Sequence, residues 1–198
     1  MSTTSIALPA IERPWTLPYR GRVGMLSLIA AEAAVFTIFV VAYIYNIGRS
    51  LSGPTPQQVL HTPIFNTICL LSSSLTIHLA LSALRAGKNA AFKTFWFLTL
   101  ALGAIFLGGT AREWYRLIYE EGLTISTNLF GTTYYSLVGL HAFHVTVGLV
   151  ALSVVMILAL AGRAEREHIH RLDVLSLYWH FVDAVWVVVF TTVYIVGK

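Results

Sequence analysis

The sequence predicts an all-α integral membrane bundle of five transmembrane helices. Three observations carry that expectation. The chain of 198 residues is 57% hydrophobic and only 11% charged, with a mean hydropathy of +0.73. Soluble domains carry charge on about a quarter of their residues, so these charges are too few to cover a water-facing globule. The charges also divide the sequence into long uncharged runs, each near the roughly 20 residues that a helix needs to cross a bilayer core. Finally, the runs are apolar on all faces, whereas a spanning strand alternates polar and apolar positions. The same figures exclude a soluble enzyme, a disordered tail and a nucleic-acid binder. The net charge of +4 needs no polyanion partner, and the one cysteine, Cys69, cannot form an intrachain disulfide.

The runs give the elements in order. Between Arg22 and Arg49 lie 26 residues with one charge, Glu32, which predicts a first helix over about 24–47. The stretch from Ser50 to Pro63 holds Gly53, Pro54, Pro56 and Pro63 and reads as a loop. No charge follows until Arg85, predicting a second helix over about 64–84. The 18 uncharged residues between Lys93 and Arg112 predict a third over about 93–112. Of the 41 between Glu121 and Arg163, the first few are polar, so the fourth helix is expected over about 130–161. That run exceeds what a bilayer requires and should tilt or project from the surface. Between Asp173 and Lys198 the only charge is Asp183, giving a fifth helix over about 174–196. Residues 1–22 hold Pro9, Pro14 and Pro18 without an apolar core. They read as a cytoplasmic N-terminal segment rather than a signal peptide, followed by one transmembrane domain over 23–198.

Lys and Arg set the orientation. With the N-terminus inside, the cytoplasmic set is Arg13, Arg20, Arg22, Arg85, Lys88, Lys93, Arg163, Arg166 and Arg171, against Arg49, Arg112, Arg116 and Lys198 outside. Nine against four predicts a cytoplasmic N-terminus and a periplasmic C-terminus.

An ionisable group inside a bilayer is costly and faces protein or water. The candidates are Glu32, His78, His141, His144, His180 and Asp183. Glu32 is expected roughly 12 Å above the cytoplasmic end of its helix at 1.5 Å per residue. Glu32 is expected to be mostly protonated at that depth unless a histidine of a neighbouring helix pairs with it as imidazolium, and His78 and His180 are the candidates by depth. Ala30, Ala31, Ala33 and Ala34 surround it and let another helix approach closely. His141 and His144 share a helix face at a spacing of three, as do His180 and Asp183. The His pair can ligate a metal, or hold haem b with a histidine such as His78 at matched depth. It can equally hydrogen-bond across helices and hold the bundle together. The run Ser72 to Ser74 and Thr76 read as hydroxyls bonded to the preceding turn of their own helix. Trp96, Trp114, Trp179 and Trp186, with Tyr43, Tyr45 and Tyr194, read as interfacial anchors. Arg163, Arg166, His168, His170 and Arg171 form an expected basic ledge for lipid headgroups, the alternative being a loop neutralised by Glu165, Glu167 and Asp173.

Several segments resemble subunit III of the haem-copper oxidases. They are Tyr-Trp-His-Phe-Val-Asp-Ala-Val-Trp from Tyr178 to Trp186, Ile-Ser-Thr-Asn-Leu-Phe-Gly-Thr-Thr-Tyr-Tyr from Ile125 to Tyr135, and Gly-Leu-His-Ala-Phe-His-Val-Thr-Val-Gly from Gly139 to Gly148. The Glu32 helix is similar to the family's acid-bearing helix, with Ala31 where the family has serine. Pro63-Ile-Phe-Asn-Thr, His78 and Ala111-Arg-Glu-Trp-Tyr also fit, so the resemblance covers roughly residues 20–197. Longer family members have seven helices, with a lipid-filled cleft between the first two and the last five. This chain resembles the last five, as do short subunits of bacterial cytochrome c and quinol oxidases, so the cleft is expected open or completed by another chain.

The resemblance implies a multi-pass subunit of the bacterial inner membrane with no cofactor of its own, haem and copper lying in partner subunits. It implies docking on catalytic subunit I among other oxidase subunits and phospholipids, stabilising that subunit and supporting proton uptake while the complex reduces oxygen to water. His141 and His144 then become packing and hydrogen-bond residues, and His168 and Asp173 match polar positions before the last helix. Two alternatives stay open: a haem b-bearing membrane anchor of a quinone-linked oxidoreductase, and a nitric oxide reductase-associated relative of subunit III.

Overall fold

The computed structural model describes residues 20–50, 52–163 and 168–197. Its elements in chain order are α1 (Arg20–Asn46), the short α2 (Pro56–Val59), α3 (Ile64–Arg85), α4 (Asn89–Tyr119), α5 (Leu129–Leu160) and α6 (Ile169–Phe190). A π-helical segment, Thr191–Val196, continues α6 to the end of the last span. Five helices are long and apolar enough to cross a membrane, and no strand occurs among the described residues. All but three residues of the expected N-terminal segment 1–22 lie outside the described residues; 20–22 open α1.

The charge-defined runs mark membrane borders rather than helix ends. α4 shows this best: it begins at Asn89 and runs on to Tyr119, well past the expected 93–112. Lys93, Arg112, Glu113 and Arg116 are helix-compatible residues, and nothing at either border breaks the helix. α3 and α4 form a hairpin through the turn 86–88, where Gly87 takes φ of +75°. That left-handed conformation costs a glycine little. The two helices then approach closely: a Cβ on Gly109 of α4 would overlap the Asn66 amide of α3.

α6 packs on α1, α3 and α5, while α5 packs on α1, α4 and α6. α3, α4, α5 and α6 therefore enclose the core, and α1 leans on α5 and α6 from outside. Only Phe36 and Tyr43 of α1 are buried. Tryptophans fill the core. Trp96 donates its indole N–H to Leu152 O at 2.9 Å, Trp179 to Ser73 Oγ at 2.8 Å and Trp186 to Thr67 Oγ1 at 3.1 Å. This corrects the reading of these residues as interfacial anchors: Trp96, Trp179, Trp186, Tyr43 and Tyr194 are buried. A Trp body suits an apolar core as well as an interface once its N–H finds an acceptor. Trp114 is half-buried against Tyr135. Tyr45 alone of the set is exposed, with the Arg49 guanidinium 3.8 Å from its ring centroid.

The loop before α5 is fastened to the loop after α1. Asn128 caps α5 by accepting from Gly131 N–H at 2.8 Å. Its amide donates to Ser52 O at 3.0 Å and Pro54 O at 3.1 Å. Phe130 N–H donates to Ser50 Oγ at 3.0 Å. Asn128→Ala removes the cap and the tether together. It is expected to cost about 2 kcal/mol, the upper end for a lost N-cap, read as a lower thermal midpoint in detergent. An unchanged midpoint would contradict the tether.

Candidate functional site

Three clusters of polar groups lie within the spans, each assembled from different helices. The first joins α1 to α5. Glu32 sits near the midpoint of α1 and His144 near the midpoint of α5, so the two meet at one depth. Glu32 Oε2 lies 3.1 Å from His144 Nε2. The other ring nitrogen, Nδ1, faces Leu140 O at 2.8 Å. A carbonyl only accepts, so Nδ1 carries a hydrogen. The Nε2–Oε2 contact then holds one proton between acid and imidazole, whichever group carries it. Phe36 lies 5.1 Å from the His144 ring, and Tyr178 donates its O–H to His144 O at 3.2 Å. His144 is 8% exposed at its side chain and Glu32 27%, so the pair opens outward on the Glu32 side. The expected depth partners, His78 and His180, are thereby corrected to His144. α1 starts four residues earlier than the sequence predicts, so Glu32 lies near the midpoint of its helix, level with His144 on α5.

The second cluster joins α3 to α6. Ser74 donates to Asp183 Oδ2 and also contacts His180 Nδ1 at 2.9 Å. Asp183 is buried and His180 half-buried. The expected face shared by His180 and Asp183 exists, and Ser74 bridges it. Ser73 and Thr76 bond to Leu70 O and Ser73 O of their own helix as expected. Ser74 instead reaches across to α6, and Thr76 also contacts Thr99 of α4 at 2.7 Å.

The third cluster was not legible in the charge pattern. Tyr194, in the π-helical segment, donates to the Glu113 carboxyl with its oxygens at 3.0 and 3.2 Å, and Tyr134 lies 3.4 Å from Tyr194. Glu113 was counted as part of the border after Arg112. The signal that could have found it is the one tyrosine near the end of the last helix, Tyr194, together with an acid on a helix that does not stop. π-helical turns recur at functional sites.

The remaining candidates stand apart. His141 is fully buried, 5.0 Å from the Trp186 ring centroid and 5.8 Å from that of Phe106, and neither ring nitrogen has a hydrogen-bond partner. His78 is exposed. The His144 nitrogens are already engaged by Leu140 and Glu32, so His144 and His78 do not form the matched pair. Among the described residues no group of three His, Cys, Asp or Glu could hold a metal ion. On the ledge, Arg163, His170 and Arg171 are exposed and His168 is half-buried, while Arg166 lies outside the described residues.

The chain matches the family model for cytochrome c oxidase subunit III over residues 19–198. It belongs to that family. It is similar to cytochrome c oxidase subunit 3 of Synechocystis, at 38% identity over 87% of this chain and 74% of the relative. It is similar to cytochrome c oxidase subunit 3 of Alkalihalophilus pseudofirmus, at 32% identity over 98% of this chain and 96% of the relative. It is also similar to the cytochrome bo(3) ubiquinol oxidase subunit 3 of Pseudomonas aeruginosa, at 31% identity over 88% of this chain and 84% of the relative. The family places the chain with subunits of a larger oxidase complex. The match spans all five membrane helices and every cluster described above.

Proposed function

We propose that this chain is the non-metal-bearing subunit III of a haem-copper terminal oxidase in a bacterial inner membrane. It docks on catalytic subunit I beside other oxidase subunits, with its N-terminus cytoplasmic and its C-terminus periplasmic, residues 23–198 forming one transmembrane domain. The haem and copper lie in the partner subunits, which reduce oxygen to water. This chain stabilises the catalytic subunit through turnover and supports its proton uptake.

The family match over residues 19–198 carries the reading. The geometry supports it in a particular way. Glu32 and His144 hold a proton between α1 and α5, and Ser74, His180 and Asp183 form a second titratable group between α3 and α6. Such groups bind protons without a redox centre. Glu32, partly exposed at the edge of the bundle, also adjoins the surface open to lipid. Arg163, Arg166, His168 and Arg171 serve as headgroup contacts, each basic group near an anionic surface contributing about 1 kcal/mol.

Oxidase prepared without this chain is expected to begin turnover normally and then lose activity faster than the complete complex. The check is oxygen consumption followed through many turnovers. Equal persistence with and without the chain would contradict the stabilising role.

A further inference from the structure

Asp183 has two unlike carboxyl oxygens. Oδ2 accepts from Ser74, while Oδ1 is buried without a hydrogen-bond partner. A purely structural buried acid has its oxygens satisfied. The Ser74 hydroxyl also faces His180 Nδ1 at 2.9 Å, so it stands between an imidazole and a carboxyl. A hydroxyl has one proton to give and lone pairs to accept another, which suits it to pass protons between the two.

His180 also lines a cleft of about 450 Å³. The cleft lies along α6 between the start of α1 and the end of α3, and Arg22, Arg85, His170 and Asp173 line it. Arg85 and Asp173 form an ion pair across its mouth at 2.6 Å. A water takes about 30 Å³ in the liquid, so a cleft of this size accommodates several, with Arg22, Arg85, His170 and Asp173 as their polar partners. Asp183 lies ten residues beyond Asp173 along α6, roughly 15 Å at 1.5 Å per residue.

We propose that His180, Ser74 and Asp183 form a proton-loading site filled from this charged cleft, with Asp183 as the store. The inference deepens the oxidase reading and rests on it for the use of the stored proton. A hydronium ion in the cleft gives its proton to His180 Nε2. The imidazolium passes its Nδ1 proton to Ser74 Oγ while the Ser74 hydroxyl hydrogen moves to Asp183 Oδ2. The ring ends neutral with its hydrogen on Nε2, the hydroxyl is restored and the carboxylate becomes a carboxylic acid. The reverse sequence empties the site.

Titratable and charged groups on the elements around the relay include Arg22 and Glu32 of α1, His78 and Arg85 of α3, and His141 and His144 of α5, with His170, Asp173 and Tyr178 of α6 itself. Arg85 and Asp173 neutralise each other. His144 is engaged by Glu32, and His141 lies among aromatic rings. His180 both lines the cleft and contacts Ser74, so it is the group that links the cleft to Asp183.

Time-resolved infrared difference spectroscopy after a pH jump, on the intact complex in lipid discs, tests the relay. The expected result is a carboxylic acid band that Asp183→Asn removes. Ser74→Ala should keep the band at equilibrium but slow its appearance about 100-fold, the scale of losing a positioned proton-transfer group. Ser74→Thr, which keeps a hydroxyl, should restore the rate. A band that survives Asp183→Asn, or a rate untouched by Ser74→Ala, would overturn the proposal. If Asp183→Asn does not assemble, the Ser74→Ala rate decides alone. The haem spectrum of the same sample reads the oxidase assignment independently: haem-copper partner present and relay absent sinks only the relay.

Discussion

Replacing Trp179 with alanine is expected to destabilise the bundle by about 3–5 kcal/mol, the range for emptying a buried aromatic site. Trp179 is fully buried on α6 and joins three other helices. Its N–H donates to Ser73 Oγ of α3 at 2.8 Å. Its ring fills space left by two glycines, where an added Cβ would stand 3.0 Å from the ring at Gly103 of α4 and 2.8 Å at Gly148 of α5. Between helices in lipid, attraction comes from packing and hydrogen bonds rather than from expelled water, so the cavity is not offset by the solvent. Trp179→Phe keeps most of the packing and loses one hydrogen bond, with an expected cost of about 1 kcal/mol beyond the smaller ring. Thermal midpoints of the assembled complex in detergent check both. A Trp179→Ala complex that melts with the wild type would contradict the four-helix packing.

The second large effect belongs to the pair of Glu32 and His144. His144→Leu leaves a carboxyl in the membrane without its partner and is expected to cost about 3 kcal/mol, as removing one member of a buried pair does. Glu32→Gln is expected to cost under about 1 kcal/mol, because its amide can donate to the Nε2 that the Nδ1 tautomer leaves as acceptor. Replacing both residues with leucine should cost less than Glu32→Leu and His144→Leu added together. The expected coupling is about 1–3 kcal/mol, within the range for residues in contact. Additive losses in denaturation of the complex would show that the 3.1 Å contact carries no energy.

The spans were legible because a charge within a bilayer is costly, and uncharged runs therefore locate membrane crossings directly. The same rule hid Glu113. It lies beyond Arg112 and was counted with the border, yet α4 continues to Tyr119 and brings it to Tyr194. Depth counted from a helix end carries the error of that end, which is how His78 and His180 were matched to Glu32 in place of His144. Ser74 could not be separated from Ser72 and Ser73 by sequence, because only helix rotation decides which hydroxyl faces α6. The tryptophans carried a usable signal: Trp179, Asp183 and Trp186 fall on one face of a helix by their spacing of four and three. A face that must bury an acid also buries its neighbours. The family resemblance was legible because its motifs lie at the contact points themselves. Tyr178 to Trp186 supplies the core face of α6, and Gly148 is glycine because the Trp179 ring occupies the place of a Cβ.

The most direct test is purification of this chain with its native partners from the membrane, with haem absorbance and copper measured on the same sample. The expected result is comigration with a catalytic subunit that carries haem and copper, and neither group on this chain once it is separated. A chain that purifies without a haem-copper partner and carries stoichiometric haem b would contradict the assignment.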